Sequence, residues 1–305
     1  MDDQPDALPP DAAGYLPASD SRRVIEVVGK VALARTRYPR CSDFYGGMPT
    51  GPWTEAALQT ILEFFDAGRV PPGSEQQVAS LAGRLDRHLD DSRKAAAAPR
   101  VSPAVAGRLE RESKQMGSEA VNLVGLWAYQ IDPAHLAEWA EDPEHTIRLA
   151  VANNPNTAAE TLAGFEGDPD QKVREAVANN PNTAAETLTA LAADPDEFVR
   201  AAAAGNPNTA IETLTALAAD PGNVESSEVS ETLAGNALTP PEVLTRLASH
   251  PSDTVRETVA GNALTPPEVL TRLASDPGVW VRSAAAINPS LPPAGRATSG
   301  LFAAT

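Results

Sequence analysis

The residues with the greatest chemical reach in this 305-residue sequence stand in columns. Arg148, Arg174, Arg200, Arg256 and Arg282 recur at one position of a repeated phrase. A guanidinium presents planar, paired donors that match a carboxylate. The column therefore offers a ladder of donors to a carboxylate-bearing partner, or internal pairing with acids such as Asp142, Asp168 and Asp194. Internal pairing relieves the cost of holding like charges in a row. One copy breaks the column, with Ser230 where the others have arginine.

A second column never varies: Asn154, Asn180, Asn206, Asn236, Asn262 and Asn288. Asparagine at a turn bonds nearby backbone and tolerates the left-handed conformation, so this column reads as a structural turn ladder. Binding through the amides is its other use. A third column changes from copy to copy, reading Thr146, Lys172, Phe198, Glu228, Thr254 and Trp280. Exposed aromatics anchor interfaces, which makes Phe198 and Trp280 candidate partner contacts together with the five arginines. The alternative is that Phe198 covers a local gap and Trp280 seals the end of the array.

Dedicated catalytic chemistry is not visible. His88, His135, His145 and His250 lack metal-ligand spacing, and no phosphate-binding loop, nucleophile elbow or zinc-protease motif occurs. No catalytic, cofactor-binding or metal residue is predicted, and no cofactor. Cys41 is the one cysteine, so an intrachain disulfide or a multi-cysteine cluster is excluded. Arg37 and Arg40 near it favour a reactive thiolate, against the plainer reading of a surface thiol. The stretch around it, CSDFYGGMPTGPW, gathers aromatics and glycines and is a second candidate contact surface.

The columns follow from repetition. VANNPNTAAETL occurs at residues 151–162 and again, unchanged, at 177–188. Six units begin at Asp142, Asp168, Asp194, Asp220, His250 and Asp276, at intervals of 26 residues except for one of 30. The long interval holds a four-residue insertion within GNVESSEVS, residues 222–230. Each unit shows two helix signals. Thr157, Thr183, Thr209, Thr239 and Thr265 precede a glutamate by three residues, the spacing of a capping box. Asp-Pro then reads as the cap and first residue of a shorter helix, partly 3-10 in character. Apolar columns such as Ile147, Val173, Val199, Val229, Val255 and Val281 give stripes that only stacked neighbours can bury.

The chain divides into a disordered tail (1–18), an N-terminal helical domain (19–98), a hinge and linker helix (99–118), a solenoid of a degenerate cap plus six units (119–293) and a C-terminal tail (294–305). In the N-terminal part Ser21 is placed to cap a helix running to Arg37. Ser102 and Pro103 start another that extends to about Met116.

The unit DPDQKVREAVANNPNTAAETLTALAA, residues 168–193, resembles the bacterial leucine-rich repeat variant, with its pattern DPD..VR..VA.NP.TP.E.LA.LA. The resemblance spans residues 121–293. It implies an all-α fold, a right-handed solenoid of alternating α and 3-10 helices, and no settled activity. The family's founding type carries an iron-sulfur cluster ahead of its repeats, and a chain with Cys41 alone departs from it there.

Charge bounds the partner. The net charge is −17, of which −14 falls in residues 136–305, where 9 Lys and Arg face 23 Asp and Glu. Such a segment repels phosphate backbones and attracts basic proteins or peptides. The expectation is a non-catalytic interaction or scaffold module binding a protein or peptide on an acidic curved surface, with no nucleic acid and no membrane. No apolar run of membrane-spanning length and no signal-like start occurs, so a cytoplasmic location is expected. The alternative is a HEAT-like solenoid enzyme, of lyase or DNA glycosylase type.

Overall fold

The structure, a computed structural model, describes residues 15–37, 52–97 and 102–292. Cys41 and most of its connector, most of the 1–18 and all of the 294–305 tails, and the start of the hinge lie outside the described residues. Contacts divide the chain into two units, Met1–Thr161 and Leu162–Thr305.

The first unit holds α1 (Ala18–Arg37), α2 (Pro52–Asp66), α3 (Glu75–Ala97), α4 (Pro103–Trp127), a 3-10 turn (Ala128–Gln130), α5 (Pro133–Trp139) and α6 (His145–Asn153). Val24, Ile25, Ile61, Phe64, Leu81 and Trp127 are buried between them. Phe64 and Trp127 stack with centroids 5.1 Å apart, and the Trp127 indole N–H donates to Ser74 Oγ at 3.0 Å. Burying aromatic surface with its one polar atom satisfied is what makes such a core stable.

Two boundaries differ from those read in the sequence. Ser21 lies inside α1, where the Pro17 carbonyl accepts from the amides of Asp20 and Ser21, and its hydroxyl donates to Leu16 O at 3.1 Å. α4 begins as expected, with Ser102 Oγ accepting from Val105 N and Pro103 first in the helix. It continues past Met116, because Gly117 does not break it. That glycine allows α4 to approach α2, since a Cβ there would come within 3.0 Å of Thr54 Cβ.

The division falls within α7 (Ala159–Ala163). The second unit continues with α8 (Gln171–Asn179), α9 (Ala185–Leu191), α10 (Glu197–Gly205), α11 (Ile211–Ala219), α12 (Pro221–Glu225), α13 (Ser227–Gly235), α14 (Pro241–Leu247), α15 (Asp253–Gly261), α16 (Pro267–Leu273) and α17 (Val279–Ile287). It is an all-α solenoid. Helices α8, α10, α13, α15 and α17 contact one another in order and form one row, and α9, α11, α14 and α16 lie against that row. Leu214, Val229, Leu244, Val255, Leu270 and Val281 form part of one continuous buried cluster along the stack. At roughly 1.5 to 3 kcal/mol for each buried leucine or valine, this continuity offsets the entropy of ordering units that could not fold alone.

Both helices of each repeat are α. Short helices of five to seven residues, α7, α9, α14 and α16, alternate with the nine-residue ones, and they are α, since among the described residues the 3-10 turn is confined to Ala128–Gln130. The first-row helices are nine residues long, enough for complete i→i−4 bonding.

The capping box is also corrected. The repeated threonine hydroxyls donate backwards, to carbonyls six residues upstream: Thr157 to Val151 O at 2.6 Å, and Thr183, Thr209, Thr239 and Thr265 to Val177, Ala203, Leu233 and Val259 O at 2.5 Å. The helix caps fall one residue later, at Ala184, Ala210, Pro240 and Pro266, without side-chain capping bonds. The threonine thus adds a second bond to a carbonyl at the end of the preceding helix, which also accepts from the backbone N–H of the column asparagine.

Asp-Pro behaves differently in two settings. Asp132 and Asp220 cap α5 and α12 directly, accepting from Ala134 N and Gly222 N. Elsewhere the aspartate sits two residues before the cap. Asp168 Oδ1 accepts from Asp170 N, and Asp170 in turn caps α8 through Lys172 N. Asp194 and Asp196 do the same before α10. The insertion makes the difference in the fourth repeat: its extra residues form α12, and Ser226 then caps α13.

Candidate functional site

The arginine column stitches layers. Arg174 donates from Nε and Nη2 to both carboxylate oxygens of Asp194, at 2.7 and 3.1 Å, and from Nη1 to Asp168 O. Arg256 repeats the arrangement with Asp276, at 2.8 and 3.1 Å, and with His250 O. Each pair joins one repeat to the next and is largely buried. Arg200 reaches Asn223 Oδ1 instead, at 2.8 Å, because Asp220 has been drawn off to cap α12. Arg148 and Arg282 bond the backbone of their own turns, at Asp142 and Pro143 and at Asp276 and Pro277.

In the first unit Arg22 of α1 donates to Asp142 Oδ2 at 2.7 Å. α1 therefore meets the first repeat as a preceding repeat would. The approach is close, since a Cβ on Gly29 would collide with the Thr146 carbonyl oxygen.

These pairs shift protonation. Hydrogen bonding to Arg256 is the main influence holding the Asp276 carboxyl below the ordinary aspartate value, outweighing burial. At Asp194 and Asp142 burial pushes upward most strongly. The combined bonds from Arg174 or Arg22 and from a backbone N–H reverse it, leaving both carboxyls lowered. Arg174 and Arg256 are held more firmly protonated by the same bonds.

The asparagine column does more than close its own turn. Each of the six amides accepts at Oδ1 from the N–H two residues on, at 2.9 Å. From Asn206 onward, Nδ2 also donates to two carbonyls of the preceding layer: Asn206 to Ala178 and Asn180, Asn236 to Ala204 and Asn206, Asn262 to Ala234 and Asn236, and Asn288 to Ala260 and Asn262. Asn154 donates to Ala128 O. The left-handed conformation is not used. All six are extended, with φ from −64 to −77°. Asparagine is needed for its two-ended amide, as donor across layers and acceptor within one.

The variable column lies at the starts of the first-row helices. Phe198 is 45% and Trp280 69% exposed. Lys172, one repeat before Phe198, places its ammonium 5.8 Å from the Phe198 ring centroid and pairs with Glu175 at 2.9 Å. Around this row stand Glu197, Glu228, Glu231, Asp253 and Glu257, and Ile287 projects, 77% exposed, from the end of α17. The structure thus separates the candidates: Arg174, Arg200 and Arg256 act between layers with Asn154, Asn206, Asn236, Asn262 and Asn288, Arg148 and Arg282 bond their own turns, and the two aromatics face outward. Sequence columns did not single out Asn223, Asp253 or Glu257: Asn223 falls in the insertion, and the other two stand at positions that mix acidic and uncharged residues, with Glu197 and Gln171 matching Asp253 and Glu175 and Ala201 matching Glu257.

One cavity, about 320 Å³, lies between α3 and α4. Within its lining Arg108 pairs with Asp91 at 3.0 Å and the His88 ring lies 3.3 Å from Glu112, while Arg84 pairs with Glu119 outside it. Among the described residues no group of three or more His, Cys, Asp or Glu could hold a metal ion, and no helix is long and apolar enough to cross a membrane.

No curated protein matches the chain. A solved structure described as a leucine-rich repeat variant with a novel repetitive protein structural motif is 25% identical, over 60% of this chain and 75% of that one, with a TM-score of 0.41. The family model of the leucine rich repeat variant matches residues 172–196, 197–222 and 253–278. The matched segments hold Arg174, Arg200 and Arg256 of the arginine column, Asn180, Asn206 and Asn262 of the asparagine column, and Lys172, Phe198 and Thr254 of the variable one.

Proposed function

We propose that the chain is a non-catalytic interaction module and that the first-row helices of its second unit receive a basic segment of a partner protein. The observation that carries this is the division of labour among the columns. Arg174, Arg256 and the asparagines are committed to layer contacts. Phe198 and Trp280 are large, exposed and aligned on one row. Aromatic side chains supply most of the binding energy in many interfaces, and surrounding carboxylates steer a cationic partner to them. The segment's charge of −14 disfavours a nucleic acid in that role.

The test is affinity capture from native lysate with wild type and with a Phe198→Ala/Trp280→Ala variant. A stoichiometric protein held by wild type and lost by a variant of unchanged unfolding midpoint is the expected result. Retention of that protein by the variant, or a fall in its midpoint, removes the reading. A retained nucleotide, pigment or metal with no protein partner supports a solenoid enzyme instead.

A further inference from the structure

Two layer interfaces in the second unit are geometrically alike. Between α8 and α10, Arg174 holds Asp194 at 2.7 and 3.1 Å. Between α15 and α17, Arg256 holds Asp276 at 2.8 and 3.1 Å. Both span uninterrupted 26-residue repeats. A residue in one interface can therefore be matched with its counterpart 82 positions on.

The first interface contains a cation with two partners. The Lys172 ammonium stands 5.8 Å from the Phe198 ring centroid and 2.9 Å from a Glu175 oxygen. In the second interface both partners have counterparts, Trp280 for Phe198 and Glu257 for Glu175, whereas Thr254 stands where Lys172 would. Among the described residues no cation lies over Trp280 or pairs with Glu257. The ring has become a tryptophan, the side chain that attracts cations best. One more carboxylate has joined it. Asp253 replaces Gln171 and lies beside the start of α17, since a Cβ on Gly278 would come within 3.7 Å of Asp253 Cβ.

We propose that Trp280, Glu257 and Asp253 form a binding subsite for a lysine or arginine side chain presented by a partner protein. The partner's cation takes the place that Lys172 fills intramolecularly three interfaces earlier in the row. The ammonium or guanidinium lies against the indole face with the two carboxylates beside it, and Thr254, being short, leaves that space open. The subsite rests on the reading of this row as a docking face and gives the partner's chemistry at one point of it.

The experiment follows the Trp280 indole N–H resonance, identified by its loss in Trp280→Ala, in the full chain. The probe is a capped pentapeptide of glycines around one lysine, whose ammonium is its single charge, and the control is the same peptide with that lysine acetylated. The lysine peptide is expected to shift the resonance. The acetylated peptide, the Glu257→Gln variant and the Thr254→Lys variant are each expected to need about tenfold more peptide for the same shift. Thr254→Lys is the critical variant, because it installs the internal cation and closes the subsite without removing any group from it. Its unfolding midpoint is expected to equal or exceed that of wild type.

Equal shifts with the acetylated peptide, an unchanged titration in Thr254→Lys, or no shift with the lysine peptide overturns the subsite. A resonance that moves on dilution of the protein alone assigns the face to a second copy and also overturns it. If the subsite fails while a captured partner still depends on Phe198 and Trp280, the docking face stands and only its cation chemistry is removed.

Discussion

Two interfaces of the same solenoid close in opposite ways. Between α15 and α17 a charged pair, Arg256 and Asp276, spans the layers. Between α13 and α15 the corresponding residues are Ser230 and His250, both buried and formally uncharged. Ser230 keeps the arginine's local task, donating to the carbonyls of Asn223 and Val224 at 3.3 and 3.1 Å. His250 keeps the aspartate's, accepting from Ser252 N at its Nδ1 at 3.0 Å as Asp276 accepts from Gly278 N. What is lost is the bond between layers. The His250 Nε2 is buried with no hydrogen-bond partner among the described residues.

The contrast separates two requirements. Turn closure accepts any well-placed acceptor. A carboxylate in that turn needs a guanidinium opposite, because a buried carboxylate without one is costly, whereas the guanidinium of Arg200 is satisfied by the neutral Asn223. The two substitutions therefore belong together.

His250→Asp alone breaks the comparison most severely. It buries a carboxylate with no arginine opposite and is expected to destabilise by about 3 to 5 kcal/mol. Adding Ser230→Arg is expected to recover most of that loss, which a double-mutant cycle in denaturant unfolding measures; independent effects would disprove the matched swap. Gly29→Ala attacks a charged interface of the first unit, where α1 meets Thr146, and is expected to cost about 3 kcal/mol by overpacking. Asn262→Ala leaves two carbonyls of the preceding layer without their donor and is expected to cost about 2 kcal/mol.

The mildest test uses pH. A carboxyl lowered in the folded state lets the unfolded chain bind more protons. Its stabilising contribution is present above the ordinary aspartate range and is lost as pH falls through the lowered folded value. Asp194 and Asp276 are of this kind. Wild type is expected to lose stability between about pH 5 and pH 2, and Asp276→Asn to lose less over that window.

The repeat length, the apolar stripes and the all-α class were legible because each column recurs and stacked copies must agree. The fine roles were harder to read. Thr183 and Glu186 have the spacing of a capping box, yet the hydroxyl donates back to Val177 O and the cap falls one residue later, at Ala184. Asn206 was legible as a turn residue, but its bonds to Ala178 and Asn180 cross a layer, and no local pattern shows a contact 28 residues away. Phe198 and Trp280 stood out because their column varied, whereas the Glu257 and Thr254 relation emerged only when two interfaces were compared in space.

The central claim is that repeated residues build the frame and that function resides where the copies differ. Guanidinium unfolding of Phe198→Ala/Trp280→Ala beside Asn206→Ala tests it most directly. The double variant is expected to lie within about 1 kcal/mol of wild type and the asparagine variant to be destabilised by about 2 kcal/mol. A strongly destabilised aromatic variant beside a neutral asparagine variant would contradict it.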